Sequence, residues 1–288
     1  MIVAVHGIAQ QLKGPDQLRA LWVPALRDGV TFASGATPDD VPFRMAFYGN
    51  LFRHQLTTPK TKSGAPDDTL GNLSDDEVDD LLGVISEVVT EAEIAAAAES
   101  AEKGFPGVPG PLAHALRAID ARFGAAAGIL YLGTMRQVRR YLQDPDLKGA
   151  VDQLIADTMA EEMASGSPLV LIGHSLGSVV AYEFVRQHPD HPVDLLLTLG
   201  SPLSLRMVRS RLPEPPAGMP AGVRSWVNVR AFNDPVAVGG DLNRFWAGVQ
   251  DRHVDNGRRD PHSVAAYLSA VETGRPVANA LGPGEAAP

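Results

Sequence analysis

Residues 173–177 read Gly-His-Ser-Leu-Gly, a G-x-S-x-G pentapeptide centred on Ser175. The apolar run Leu169 to Ile172 before it suits a buried strand, and Leu176 to Val185 after it suits a helix. Ser175 is therefore predicted on a sharp strand-to-helix turn, held up at the carboxyl edge of a sheet. A side chain at Gly173 or Gly177 would crowd such a turn. Three fixed positions arise easily by chance in a chain with 28 glycines, and a tight turn carrying an ordinary exposed serine is the plainer alternative. The strand and helix patterns on either side favour a nucleophile, as do small Ser178 and Ala181, which let the helix lie close to the sheet.

A serine hydroxyl attacks a carbonyl well only when a base removes its proton, and histidine titrates in the right range. Of the eight histidines, His262 is the candidate base: it follows Ser175 in chain order and precedes the last predicted helix, in Asp260-Pro261-His262-Ser263. His174 flanks Ser175 with its side chain expected to point away, and His6 belongs to the first strand and its loop. His188 and His191, near Pro189, are expected to be exposed; His54 and His114 lie at or inside a central insertion, and His253 lies in the last strand.

The base needs a carboxylate to fix its tautomer and stabilise the imidazolium. Asp234, in Phe232-Asn233-Asp234-Pro235 after a predicted strand, is the first candidate and Asp241 the second. Asp255 and Asp260 are weaker because they crowd His262 in sequence, and Asn-Asp-Pro also favours a turn unaided. A tetrahedral oxyanion needs two N–H donors. Leu176 follows the nucleophile, and Ile8 follows His6-Gly7 at the end of the first strand, so their backbones are the expected pair.

The elements that must position these groups alternate along the chain. Strands are predicted at Ile2 to Val5, Pro42 to Tyr48, Leu169 to Ile172, Val193 to Leu199, Arg224 to Phe232 and Val249 to Val254. Helices are predicted at Gln17 to Leu26, Asp152 to Met163, after Ser175, and at Pro261 to Val271. That rhythm predicts an α/β fold with a mostly parallel sheet covered on both faces. Residues 55–145 interrupt it as a helical insertion. Ser74-Asp75-Asp76-Glu77 is a capping box, followed by an apolar stripe from Leu81 to Ala92. A second helical stretch, Leu112 to Leu142, is predicted to break near residues 124–133.

With the elbow, the His-Gly loop, and Ser, Asp and His in that order, the chain resembles the α/β-hydrolase superfamily, in particular its lipase and esterase-like branches. The resemblance covers roughly residues 1–52 and 146–272. It implies a six-stranded sheet that begins at the third strand of the full fold, with 1–54 and 146–275 as core. Residues 55–145 would be a candidate cap placed unusually early, and 276–288 a flexible tail. It also implies a serine esterase. Acyltransferases and thioesterases use the same triad, and a non-catalytic binding protein on this fold is the alternative from another class.

Composition narrows the rest. The absence of cysteine excludes disulfides and thiolate chemistry. Net charge is −9, and residues 67–103 alone carry a balance of −11, so no basic groove for nucleic acid is expected. The acidic helix is wrong for anionic membranes, though an amphipathic insertion could still meet a lipid surface peripherally. Arg117, Arg122, Arg136, Arg139 and Arg140 are expected to pair with it. No transmembrane stretch and no secretory signal are apparent, which leaves a cytoplasmic location as the expectation. The expected partner is a small-molecule or lipid-like acyl substrate, with no metal and no organic cofactor.

Overall fold

A computed structural model describes residues 1–8, 10, 12–36, 42–55, 73–99, 105–163, 168–212 and 218–282. Among them, six strands form one open, all-parallel sheet: β1 (Ile2–Val5), β2 (Phe43–Ala46), β3 (Val170–His174), β4 (Leu195–Leu199), β5 (Trp226–Ala231) and β6 (Gln250–Val254). Their spatial order is β2-β1-β3-β4-β5-β6. The helices are α1 (Pro15–Ser34), α2 (Asp75–Ile85), α3 (Glu91–Glu99), α4 (Gly110–Phe123), α5 (Ala127–Gln143), α6 (Pro145–Met163), α7 (Leu176–Gln187), α8 (Arg206–Arg209), α9 (Val264–Ser269) and α10 (Val271–Leu281). None among the described residues is long and apolar enough to cross a membrane.

The inner strands are buried on both faces, which is why they read as unbroken apolar runs. Along β3 the side chains alternate, with Val170 and Ile172 in one apolar cluster and Leu171 in the other. Helices α1, α9 and α10 cover the first face, and α6 and α7 cover the second. The chain thus leaves β1 through α1 toward β2 on one face, and leaves β3 through α7 toward β4 on the opposite face. The carboxyl ends of β1 and β3 flank the point where the connections diverge, the usual ligand position in an open α/β sheet.

Helices α2 to α5 are layered onto the α7 side. Leu81, Leu116, Tyr131, Leu132, Met135 and Val138 are buried in the same apolar cluster as Val179 and Val180 of α7. The acidic helix meets the arginines: Arg136 lies 2.8 Å from Glu77, and Arg139 lies 2.8 Å from Asp80. Asp80 also receives Arg211, and the two guanidiniums hold its carboxyl below the usual carboxylate range, Arg211 most strongly. The Glu87 carboxylate accepts the Arg206 N–H at 3.0 Å, joining the insertion to the segment after β4.

Several boundaries differ from expectation. Helix α1 runs to Ser34 despite Pro24, because Leu26 and Val30 extend the buried stripe of Leu18 and Trp22. The break in the second insertion stretch is confined to 124–126, where Gly124 ends α4 with its N–H on the Asp120 carbonyl; residue 133 lies within α5. The single closing helix becomes two. Residues 276–281, expected in a flexible tail, belong to α10, where the fully buried Val277 joins the α1 cluster in spite of Pro276. The rest of that expected tail, 283–288, lies outside the described residues, as do 56–72 of the insertion.

Because the insertion shares the main core, Leu132→Ala should lower the stability of the whole protein by about 3 kcal/mol. Trp22, Trp226 and Trp246 all lie outside 55–145. Urea unfolding followed by tryptophan fluorescence and by far-ultraviolet circular dichroism should therefore move together. An early transition seen only in the dichroism would show the insertion unfolding by itself.

Candidate active site

Ser175 joins β3 to α7 with φ 54° and ψ −127°, one of two non-glycine residues with positive φ among those described. Such a conformation costs on the order of 1–3 kcal/mol and persists only where the surroundings enforce it. Here close packing enforces it. A Cβ on Gly173 would lie 2.4 Å from the Gly177 carbonyl oxygen, and one on Gly177 would lie 2.1 Å from that of Val5. The Ser175 N–H donates to the Leu199 carbonyl at 3.0 Å. Its Oγ is buried and has no hydrogen-bond partner.

Asp234 and His262 meet beside it, brought from the loop after β5 and the turn before α9. His262 Nδ1 lies 2.7 Å from Asp234 Oδ2, with both side chains buried. The Tyr267 hydroxyl, from α9, donates to the same oxygen at 2.7 Å and accepts the Ala231 N–H at 2.9 Å. The Val236 N–H donates to Oδ1 at 2.9 Å. With Oδ2 accepting from Nδ1–H, the neutral ring carries its lone pair on Nε2, which has no partner. Ser175 Oγ and His262 Nε2 are thus both free, and they are not hydrogen-bonded to each other.

Two further histidines frame the pair. His174 packs against His262, with ring centroids 4.6 Å apart, and its Nε2 donates to the His262 carbonyl at 3.1 Å. Burial, then repulsion from His262, drives its pKa well below the ordinary histidine value. His6 Nδ1 donates to the Gly7 carbonyl at 2.7 Å, while its Nε2 accepts the Tyr48 N–H at 3.2 Å. Burial pushes its pKa down to about 4, against the opposing pull of the Gly7 bond. Gly7 lies close to Ser175, since a Cβ on it would lie 2.9 Å from Ser175 Cβ. Its carbonyl is held by His6, and in a trans peptide the Ile8 N–H must point the opposite way. Leu176 is the first residue of α7, where N–H groups have no acceptor within the helix.

The remaining candidates lie elsewhere. Asp241 is engaged by Arg230 at 2.7 Å and His253 at 2.8 Å, not by His262. Asp255 closes a turn on the Gly257 N–H. His188 and His191, expected exposed, are half-buried against Phe184. His114 is half-buried in α4, and the His54 side chain lies outside the described residues. No cluster of three metal-ligating side chains occurs among the described residues.

No protein-family model, curated protein or solved structure matches this chain. The fold is an α/β fold, and the site is defined by its own geometry. Tyr267 and the donor role of His174 were not apparent from the sequence. Tyr267 sits in an apolar helical pattern, and its bond to Asp234 spans 33 residues.

His6 and His174 are neutral in the folded protein, whereas in the unfolded chain they titrate near 6.5. Their contribution is complete above that pH and is lost as pH falls toward the depressed folded values. For His6 the loss should be about 2 kcal/mol between pH 7 and pH 5. Urea midpoints should fall over that range, and His6→Asn should flatten the slope. An unchanged slope in that variant would show that His6 is not held neutral.

Proposed function

We propose that the chain is a serine hydrolase of the α/β-hydrolase type that cleaves a carboxylic ester through an acyl-enzyme on Ser175. The observation that carries this reading is the buried 2.7 Å Asp234–His262 pair, whose free Nε2 accompanies a strained serine with a free Oγ. The all-parallel sheet, the diverging connections at β1 and β3, and the chain order Ser, Asp, His support it.

In this reading Ser175 Oγ adds to the ester carbonyl carbon as its proton passes to His262 Nε2. Asp234 fixes the reactive tautomer and stabilises the imidazolium, which is the role of the acid in such a triad. The oxyanion is received by the backbone N–H groups of Leu176 and Ile8. Collapse of the tetrahedral adduct breaks the carbon–oxygen bond, and the departing alkoxide takes the proton from His262. Water then repeats the sequence on the acyl-enzyme, releasing the acid and restoring Ser175.

Hydrolysis of nitrophenyl esters of increasing chain length tests this. Turnover should vanish in Ser175→Ala and fall on the order of 10³-fold or more in Asp234→Asn, which disrupts the tautomer control. Full activity in Ser175→Ala would overturn the proposal.

A further inference from the structure

The segment Leu199-Gly200-Ser201 after β4 touches all three candidate residues. The Leu199 carbonyl accepts the Ser175 N–H. Gly200, at φ +53°, lies so close to the acid–base pair that a Cβ there would sit 3.0 Å from Asp234 Oδ2 and 3.2 Å from His262 Cε1. Ser201 reaches the nucleophile through a second serine. Ser178 Oγ lies 2.6 Å from the Ser175 carbonyl oxygen and 2.7 Å from Ser201 Oγ, and Ser201 Oγ accepts the Leu203 N–H at 3.2 Å.

The proton arrangement follows from counting. A carbonyl oxygen only accepts and a hydroxyl has one proton, so Ser178 donates to the Ser175 carbonyl and Ser201 donates to Ser178. Each hydroxyl then donates once and accepts once, which matters because Ser175, Ser178 and Ser201 are all buried. A buried helical serine often satisfies itself on a carbonyl one turn back. Two features go beyond that habit here: the carbonyl belongs to the strained residue, and the Ser178 oxygen takes its donor from a different element. The Ser178 N–H also reaches that carbonyl, at 2.9 Å.

We infer that Ser178 and Ser201 are positioning residues, whose hydroxyl relay locks the strained Ser175 turn to the loop against which Asp234 and His262 pack. This rests on the hydrolase reading. Its consequence is that the nucleophile and the base share one support, so their relative placement survives small motions of either element.

The test is the rate at which a fluorophosphonate labels Ser175 per folded molecule, together with kcat and KM on a nitrophenyl ester. Ser178→Ala and Ser201→Ala should each lower the labelling rate and kcat about tenfold with KM nearly unchanged. The double variant should be no slower than either single one, as expected for groups acting as a unit. Ser201→Thr, which keeps the hydroxyl, should restore the rate. If the wild type is labelled and Ser201→Ala is labelled as fast per folded molecule, the relay is overturned while the hydrolase reading stands. If folded wild type is not labelled at all, both fall together.

Discussion

The Asp234 carboxylate is fully buried, and a buried charge is tolerable only when protein groups replace the water it has lost. Its two oxygens accept from His262, Tyr267 and the backbone of Val236. These donors come from the loop after β5, the turn before α9, and α9 itself. Satisfying one carboxylate therefore fixes the geometry of the last third of the chain at the carboxyl edge of the sheet. Removing any donor would leave that charge under-solvated, so Asp234, His262 and Tyr267 stand or fall as a group.

A second constraint acts two strands away, where β3 passes into α7. Helix α7 lies so close to β1 and β3 that neither Gly173 nor Gly177 has room for a side chain, and this approach forces Ser175 into its positive-φ turn. The Leu199–Ser201 segment lies between Ser175 and Asp234 and touches both. Helices α2 to α5 add a layer on the α7 side, fastened by Arg136, Arg139 and Arg211 to an acidic helix that would otherwise carry a dense negative charge.

Much of this was legible because it was local. Strand β3 and Ser175 are written in consecutive residues, and Asp234 and His262 each follow or precede an element whose pattern is clear. Interactions between distant segments were not legible. Tyr267 looked like one more apolar helical position, and Ser178 like a small residue for close packing, until their partners 33 and 23 residues away were in view. Helix α10 was obscured by Gly274 and Pro276, residues that break isolated helices; the buried Val277 shows that tertiary packing outweighs them. Asp241 stood second to Asp234 by position, and its pairing with Arg230 and His253 joins segments that sequence spacing does not connect.

The most direct measurement is the intact mass of the protein, acid-quenched during turnover of nitrophenyl acetate, followed by peptide mapping. An added acetyl group is expected on the peptide containing Ser175, absent in Ser175→Ala and accumulating with a burst of nitrophenol. Turnover with no adduct on that peptide, or an adduct on another residue that carries the activity, would contradict a Ser175 acyl-enzyme.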